Sequence, residues 1–373
     1  MNDYCLILEG VKLKRNPPDL FLFMIVLTLV MIGLVMVSSA GAPEALSKGW
    51  SVFHFGLKQL FFAGIGLFLM LVMMKIPYQT LKRTTIPVAV AAIFFLILVL
   101  IVAEVTKGSR RWIDLGIFPF QPSEFSKLAM ILFLAHYFSE IKKGIGNFIV
   151  GIVLPGIFVS VICFLILLEP DLGTTIVIFG TFVMMLFAGG AKILHLGLLT
   201  GIGIVVSVFE ITMKAYRAER LIAFLNPWRD PQGTGWQIIQ SLYALGSGGP
   251  FGLGLGMGRQ KFNYLPEAHT DYIFSILGEE LGLLGTLTVI VLFFFLAWRG
   301  YKIAVSARDS YARMLAAGIT SYLIFQAIIN IGVVTSSLPV TGVPLPFLSY
   351  GGSSLLVSMF SVGILLNISK NAV

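Results

Sequence analysis

The chain has 373 residues, of which 57% are hydrophobic and only 12% are charged, and its mean hydropathy is +0.93. Soluble domains carry about 25% charged residues, so this composition excludes a water-soluble enzyme and indicates an integral membrane protein. The net charge of +8 comes largely from Lys and Arg beside apolar segments, which is typical of membrane proteins and does not indicate a nucleic-acid partner.

The predicted elements, in chain order, are ten transmembrane helices. Runs of about 20 predominantly apolar residues are long enough to span a bilayer. The first run is too long for the apolar part of a signal peptide, so we predict that it is retained. We predict an all-α polytopic bundle, a single domain over 1–373, with a large extracytoplasmic loop at 211–270 packed on it. The predicted spans are 20–41, 57–74, 86–104, 122–138, 148–168, 172–188, 193–210, 272–298, 312–335 and 351–368.

The distribution of Lys and Arg predicts the orientation of the chain. An even number of spans places both termini on one side, and the short segments rich in Lys and Arg fall there, so we expect cytoplasmic termini. Other cations lie on the opposite side, either because a long loop crosses regardless of charge or because an anionic ligand such as a diphosphate binds there. They are Lys107, Arg110, Arg111, Lys127, Lys214, Arg217, Arg220, Arg229, Arg259 and Lys261.

Two polar segments adjoin the central spans. Glu124 and Lys127 lie three residues apart at the start of the fourth span, so they share a helix face. They form either a neutralised structural pair or a substrate-facing pair. The segment from Glu169 to Gly173 joins two apolar runs through Pro170, which predicts a tight hairpin with Asp171 at a helix start, where the helix dipole favours a negative charge.

A third polar segment, Leu265 to Asp271, ends the long loop. We predict that Thr270 caps the eighth span and that the helix dipole keeps Asp271 ionised in the first turn. An ionised carboxylate beside a cluster of cations can act as a general base. Four ordinary capping residues at the start of a helix would give a similar sequence, so the position of Asp271 alone does not establish a catalytic role.

The remaining polar signals are weaker. Glu279 and Glu280 lie deeper in the eighth span, where we expect buried, hydrogen-bonded structural positions between helices. The glycine-rich segment 252–258 follows no predicted strand, so it indicates a flexible, close-packed loop and not a nucleotide site. The two cysteines, Cys5 and Cys163, can form neither a disulfide framework nor a four-ligand metal site, and the histidines show no metal-binding spacing.

Six motifs, in order along nearly the whole chain, together resemble the SEDS family of bacterial cell-wall proteins. The resemblance is closer to the division and sporulation members than to the elongation members. The motifs are Gly108-Ser109-Arg110-Arg111-Trp112, Gln121-Pro122-Ser123-Glu124, Glu169-Pro170-Asp171-Leu172-Gly173, Asn226-Pro227-Trp228, Leu265-Pro266-Glu267-Ala268-His269-Thr270-Asp271 and the segment from Pro344 to Ser354.

The resemblance implies a peptidoglycan glycosyltransferase that polymerises lipid II on the outer face of the cytoplasmic membrane, with Asp271 matching the catalytic aspartate. Such a reaction needs a base at the attacking hydroxyl and positive charge at the departing diphosphate. Expected partners are a class B penicillin-binding protein and other division or sporulation membrane proteins. No cofactor is required, although a divalent cation could share the diphosphate. The candidate substrate-binding residues are Arg110, Arg111, Gln121, Glu124, Lys127, Lys261, His269 and Thr270.

Two other functions would also use many spans. A lipid II flippase would need buried polar groups, and Glu279 and Glu280 favour it, but a transporter site should lie near the midplane with access from both sides. The candidate residues instead gather at helix ends, in 107–127 and 265–271. A scaffold that only recruits the penicillin-binding protein would leave Asp271 and the outer cations without a role. The sequence therefore favours the enzyme.

Overall fold

The computed structural model describes residues 17–104, 110–114, 116, 119–213 and 215–371. Lys107, Lys214, Cys5 and the first two residues of the motif that begins at Gly108 lie outside these ranges. The described part of the chain is almost entirely helical, apart from one short antiparallel pair of strands. The strands are β1 (Ile113–Asp114) and β2 (Pro119–Phe120), with Ile113 opposite Phe120.

Thirteen α-helices are present in the described ranges, and each predicted span has a helix at its position. Short 3₁₀ helices occur at Lys142–Gly146 and Pro227–Arg229, and a π-helical turn at Ile149–Val153 leads into α6. The helices are α1 (Leu20–Ser47), α2 (His54–Met73), α3 (Tyr78–Arg83), α4 (Thr85–Val102), α5 (Pro122–Ile141), α6 (Leu154–Leu168), α7 (Leu172–Ala188), α8 (Ile193–Met213), α9 (Ala215–Leu225), α10 (Trp236–Ser247), α11 (Ile273–Val305), α12 (Ser310–Val334) and α13 (Gly352–Ser369).

Eight helical segments in the described ranges are long and apolar enough to cross a membrane: α1, α2, α4, α6 with its preceding turn, α8, α11, α12 and α13. The two other predicted spans correspond to α5, which carries Glu124 and Lys127, and to α7, which has only 17 residues. Both pack against α12, so protein surrounds much of each helix. The prediction of an all-α polytopic membrane protein is confirmed.

The centre of the bundle is built on α12 and α13, which are the most buried of the candidate spans. α12 packs against α5, α7 and α11, while α13 packs against α2. Their buried faces carry small and polar residues, such as Ser321, Gln326 and Asn330 on α12 and Ser358 on α13. Small and hydrogen-bonding side chains let transmembrane helices approach closely, because apolar contact alone gains nothing over lipid.

The segment 211–270 contains two helices, α9 and α10. α10 packs on α11, where the hydroxyls of Ser241 and Ser275 lie 2.7 Å apart and Ser241 also donates to the carbonyl oxygen of Val334 at 2.7 Å. Ile238 and Ala244 bury the apolar face of α10. The extracytoplasmic position of this segment stays a prediction.

α11 is interrupted at Gly282, where φ is +68° and ψ is −161°. The glycine-rich loop approaches the interruption so closely that a Cβ atom on Gly282 would lie 2.3 Å from the backbone nitrogen of Gly252. Only a residue without a side chain fits both the left-handed φ and this contact. The close-packed loop predicted for 252–258 is therefore paired with a broken transmembrane helix.

Gly282→Ala is expected to lower the free energy of unfolding by at least about 2 kcal/mol, because it adds backbone strain and a clash. Gly64→Ala is the matched control: Gly64 lies on α2, and a Cβ there meets nothing within 4 Å. The control should be neutral or slightly stabilising. Thermal unfolding of both variants in detergent measures the difference, and equal unfolding temperatures would contradict the role assigned to Gly282.

Candidate functional site

A cavity of about 780 Å³ opens at the end of the bundle where α5, α7, α11 and α13 begin. Each of these helix N-termini carries partial positive charge, which favours an anionic group placed close to it. Three arginines and three carboxylates line the cavity. These charged residues are Arg111, Asp171, Arg217, Arg220, Glu267 and Asp271.

Asp271 is held firmly just before α11. The helix begins at Ile273 and has no side-chain cap, whereas the Thr270 hydroxyl donates to the carbonyl and carboxylate oxygens of Glu267 at 3.2 and 3.1 Å. The prediction that Thr270 caps this helix is therefore wrong. The Asn330 side chain donates to the backbone carbonyl of Asp271 at 2.8 Å, which holds the backbone that carries the carboxylate.

The environment raises the pKa of Asp271 to about 7. Burial is the largest cause, the Glu267 carboxylate adds to the effect, and the Arg111 guanidinium opposes it. The prediction that the helix dipole keeps this residue firmly ionised is wrong, because desolvation outweighs the dipole. A carboxylate with a pKa near neutral binds a proton more readily than an ordinary aspartate and is well suited to general base catalysis.

Arg111 is fixed to the turn that precedes α7. Its Nε donates to the carbonyl oxygen of Glu169 at 3.1 Å, Nη2 donates to the Pro170 carbonyl, and Nη1 lies 3.9 Å from Asp171 Oδ2. Asp171 also accepts hydrogen bonds from the backbone and hydroxyl of Thr174 at 3.1 and 2.9 Å. The predicted hairpin with Asp171 at the start of a helix is confirmed.

Asp271 and Arg111 face the same narrow space beside Gly342. A Cβ atom on Gly342 would lie 3.5 Å from Asp271 Oδ2 and 3.7 Å from Arg111 Nη1. The carboxylate and the guanidinium therefore meet across a gap about the size of one methyl group. A proton acceptor and a cation are thus in place at one point of the cavity.

Gly342→Ala is expected to lower activity by about ten- to a hundredfold, because the methyl group occupies this gap and keeps the reacting part of the substrate out of it. The contacts it would make are at ordinary van der Waals distances, so the unfolding temperature should stay close to that of the unmodified protein. Polymerisation rate and thermal unfolding are measured on the same preparation. Full activity would show that substrate does not enter between Asp271 and Arg111.

The structure separates the predicted substrate-binding residues into two groups. Arg111, Gln121 and Thr270 line the cavity with Asp271. Within the described chain, the other predicted residues are not part of the lining. These are Arg110, Glu124, Lys127, Lys261 and His269.

Arg110 and His269 are held by other contacts. Arg110 donates to the carbonyl oxygen of Leu100 at 3.0 Å and is exposed. Arg111 donates instead to the carbonyl oxygens of Glu169 and Pro170, so the two neighbouring arginines are held at different places. The His269 ring packs against Phe55, with 4.5 Å between ring centres, and its Nδ1 lies 3.4 Å from Glu44 Oε2.

Glu124 and Lys127 form an almost completely buried pair below the cavity. The Lys127 ammonium donates to Glu124 Oε1 and to Gln326 Oε1, both at 2.7 Å. Gln326 in turn donates to the carbonyl oxygen of Pro344, which lines the cavity, at 2.9 Å. The pair therefore supports the cavity from beneath, which agrees with the structural alternative for these residues.

Lys127→Met is expected to lower the free energy of unfolding by about 3 to 5 kcal/mol, because it leaves the Glu124 carboxylate buried without a cation. The double variant Glu124→Gln/Lys127→Met removes both charges and should recover most of this loss. Thermal unfolding and polymerisation are measured for both. If the double variant is stable and polymerises normally, the role of the pair is structural. If it is stable but inactive, the two charges act on substrate.

Glu279 and Glu280 occupy the buried, hydrogen-bonded positions expected for them, and their partners come from the loop before α11. Glu279 Oε1 accepts from the backbone nitrogen of Arg259 at 2.7 Å. Glu280 Oε1 accepts from the Lys261 ammonium and from the Ser39 hydroxyl, both at 2.6 Å. Lys261 is thus engaged in a buried ion pair away from the cavity.

The burial of Glu169 was not predicted from the sequence. Its side chain is fully buried, and neither carboxyl oxygen has a hydrogen-bond donor within the described residues. Burial, reinforced by the charge of Asp171, raises the pKa of Glu169 to about 9. The position between an apolar run and Pro170 was visible in the sequence, but nothing there distinguished a buried neutral acid from an exposed one.

Arg217 and Arg220, named in the sequence only among the outer cations, and Glu267, named only within a motif, also line the cavity. Among the described residues, no three His, Cys, Asp or Glu side chains gather closely enough to hold a metal ion. Arg217 and Arg220 add positive charge that can bind a diphosphate in the cavity.

Residues 19–373 match the sequence profile of the FtsW/RodA/SpoVE family, described as cell cycle protein. Stage V sporulation protein E of Bacillus subtilis is 50% identical over 96% of this chain and 98% of the relative. A probable peptidoglycan glycosyltransferase FtsW of Trichlorobacter lovleyi is 43% identical over 94% of this chain and 93% of the relative.

Solved structures show the same fold. A chain from a peptidoglycan synthase complex, described as coordinating polymerization and crosslinking, superposes with a TM-score of 0.77 at 29% identity, covering 94% of this chain and 97% of that one. The rod shape determining protein RodA of Thermus thermophilus gives 0.70 at 26% identity, covering 95% and 97%.

Proposed function

Since the chain belongs to the FtsW/RodA/SpoVE family of cell cycle proteins and is a peptidoglycan glycosyltransferase, we propose that its reaction takes place in the cavity between Asp271 and Arg111. The observation that carries this proposal is the convergence of a carboxylate of raised pKa and a fixed guanidinium on the space beside Gly342. The resemblance to catalytic family members at Asp271 and the geometry point to the same residue.

The enzyme polymerises lipid II into glycan strands and releases undecaprenyl diphosphate. The C4 hydroxyl oxygen of one disaccharide bonds to the C1 carbon of the other, the bond from C1 to the diphosphate oxygen breaks, and the configuration at C1 inverts. In our proposal, Asp271 accepts the hydroxyl proton as the new bond forms. Because Asn330 and the segment before α11 hold Asp271 in place, little reorganisation is needed at the moment of reaction.

The departing diphosphate carries the negative charge that develops as the bond breaks. Arg111 faces Asp271 across the gap beside Gly342, and Arg217 and Arg220 line the same cavity. Arginine guanidinium groups match phosphate oxygens in geometry and stay charged at every physiological pH. We therefore assign stabilisation of the leaving group to these arginines.

The structure gives no specific support to the lipid II flippase that the sequence left as an alternative. Glu279 and Glu280 were the strongest signal for it, and both are satisfied by protein partners inside the fold. The Glu124–Lys127 pair is enclosed as well. The charged cavity lies at one end of the bundle, as expected for an enzyme that acts at one membrane face.

The protein is a multi-pass membrane protein. We propose that both termini are cytoplasmic and that the cavity faces outward, because the short segments rich in Lys and Arg lie on the side of the termini. The similarity to a chain of a peptidoglycan synthase complex supports a crosslinking partner, for which we propose a class B penicillin-binding protein. Further partners among division or sporulation membrane proteins are also proposed, with SpoVE as the relative that points to sporulation.

The test of this function is polymerisation by the purified protein. Labelled lipid II is added in detergent with and without a co-expressed class B partner, and glycan products are separated on a gel. Polymer that requires this protein supports the assignment. If no polymer forms even with the partner, a vesicle assay for lipid translocation tests the flippase.

A further inference from the structure

The loop between α10 and α11 exposes large apolar side chains in a stretch without charge. Glycine occupies every second position from Gly252 to Gly258, and the residues between these glycines, like Pro250 and Phe251 before them, are apolar. Phe251, Leu253, Leu255 and Met257 are between 43% and 79% exposed. A run of this kind is unfavourable in water, so some apolar medium or partner must cover it.

The backbone of this loop is bonded to the interruption of α11. The nitrogens of Leu253 and Gly254 donate to the carbonyl oxygens of Glu279 and Glu280 at 2.9 and 3.0 Å. Below the break, the nitrogen of Leu283 donates to the carbonyl oxygen of Gly249 at 2.9 Å. The loop therefore supplies the partners that the broken helix would otherwise lack, as irregular backbone at membrane depth requires.

The position of these bonds along α11 sets the depth of the loop. Trp298 and Arg299 mark one edge of the lipid-facing part of the helix, and Arg299 is paired with Asp19 at 2.6 Å. A hydrocarbon core of about 30 Å corresponds to about 20 helical residues, which extend from Arg299 to Glu280. Leu283 and Leu284 lie about 5 Å nearer the centre than Glu280 and donate to the carbonyl oxygens of Gly249 and Pro250, so the start of the loop reaches the level of the acyl chains. Leu253 and Gly254, bonded to Glu279 and Glu280, lie at the edge of the hydrocarbon.

The surface of the loop is continuous with the lipid-facing surface of α11. Leu283 and Leu284 are 63% and 55% exposed, and both donate backbone hydrogen bonds to the loop, at Gly249 and Pro250. Lipid that covers these two leucines therefore adjoins the loop as well. This continuity favours acyl chains over a water-borne partner.

Polar contacts hold the loop at this depth without exposing charge to lipid. Glu280 accepts from the backbone nitrogen of Gly256 at 3.0 Å, and Lys261 donates to the carbonyl oxygen of the same residue at 2.7 Å. Lys261 and Glu280 are both buried, as is Glu279. The charged groups thus bind the loop on the side that faces the protein, while the apolar side chains of the loop point away from the protein.

We propose that residues 250–257 form a re-entrant loop that inserts into the bilayer beside the interruption of α11, with Phe251, Leu253, Leu255 and Met257 in contact with lipid acyl chains. The buried Lys261–Glu280 pair is the anchor of this loop. The loop gives the segment before Asp271 a fixed position in the membrane and so adds a lipid-binding surface to the protein outside the charged cavity.

Site-directed spin labelling of the full chain in vesicles tests this proposal. Cys5 and Cys163 are replaced by Ser and Ala, and single cysteines are introduced as Leu255→Cys and Phe251→Cys. Two matched controls are Leu287→Cys, on the lipid-facing side of α11 one turn below the break, and Gln232→Cys, in an exposed turn of the segment 211–270. The vesicles contain phosphatidylethanolamine and phosphatidylglycerol.

Collision rates of each label with oxygen, which concentrates in hydrocarbon, and with a water-soluble nickel complex are compared. We expect the oxygen-to-nickel ratio at residues 255 and 251 to exceed that at 232 severalfold and to approach the ratio at 287, which lies deeper in the hydrocarbon. A ratio like that at 232 would overturn the proposal in favour of a solvated loop, and low collision with both reagents would overturn it in favour of protein cover. The measurement uses no activity, so its failure leaves the proposed reaction untouched.

Discussion

Asp271→Asn is expected to lower the rate of glycan polymerisation by about 10² to 10⁴-fold, because the amide keeps the shape of the side chain but cannot accept the hydroxyl proton. The carboxylate lines the cavity and faces the gap beside Gly342, whereas its backbone is fixed by Asn330. The loss should therefore appear in the turnover of bound lipid II. Labelled glycan on a gel, with lipid II varied, measures it.

The stability of the same variant separates a lost base from a lost fold. The pKa of Asp271 is raised from 3.8 to about 7, so the folded state favours the protonated form. Its contribution to stability is fully present below about pH 4 and is lost as the pH rises through about 7. At pH 8 the neutral amide introduced by Asp271→Asn avoids the cost of a buried charge, and we expect a higher unfolding temperature than in the unmodified protein.

Near-normal polymerisation by Asp271→Asn would remove this residue from the mechanism. A strongly lowered unfolding temperature at pH 8 would instead mean that the carboxylate stabilises the fold. In that case the loss of activity alone would say nothing about a base. The two measurements together decide between these outcomes.

Arg111→Gln is expected to lower polymerisation by about 10² to 10³-fold, because it removes the cation that faces the leaving diphosphate. It also changes the pH dependence. In the unmodified enzyme the rate should rise with pH through about 7, as Asp271 loses its proton. The Arg111 guanidinium lowers the pKa of Asp271, so its removal should move this midpoint to higher pH.

Arg111→Lys is the matched control, because it keeps the charge but loses the paired hydrogen bonds to the carbonyls of Glu169 and Pro170. Its activity should fall, but its pH midpoint should stay closer to that of the unmodified enzyme than the midpoint of Arg111→Gln. An unchanged midpoint in Arg111→Gln, measured from pH 5 to 9, would show that Arg111 and Asp271 do not interact in the working enzyme.

Several features of the protein follow from the sequence alone. Apolar runs of membrane-spanning length predict helices at all ten positions, because hydrocarbon leaves the backbone few other ways to satisfy its hydrogen bonds. The hairpin at Asp171 follows from Pro170 and from the preference of a carboxylate for a helix start. The family follows from the order of six local motifs. Each of these signals is contained within a short stretch of chain.

The arrangement of charge is decided by the tertiary structure. The fold places Arg111 and Arg220 in one cavity with Asp271, whereas Arg110 binds the carbonyl oxygen of Leu100, and it pairs Lys261 with Glu280 just before the interruption of α11. The raised pKa of Asp271 depends on burial and on charges far away in the sequence, so local helix rules predicted the wrong direction. Spans are determined by transfer of local segments into lipid, whereas desolvation and Coulomb interactions depend on the residues that the fold brings together.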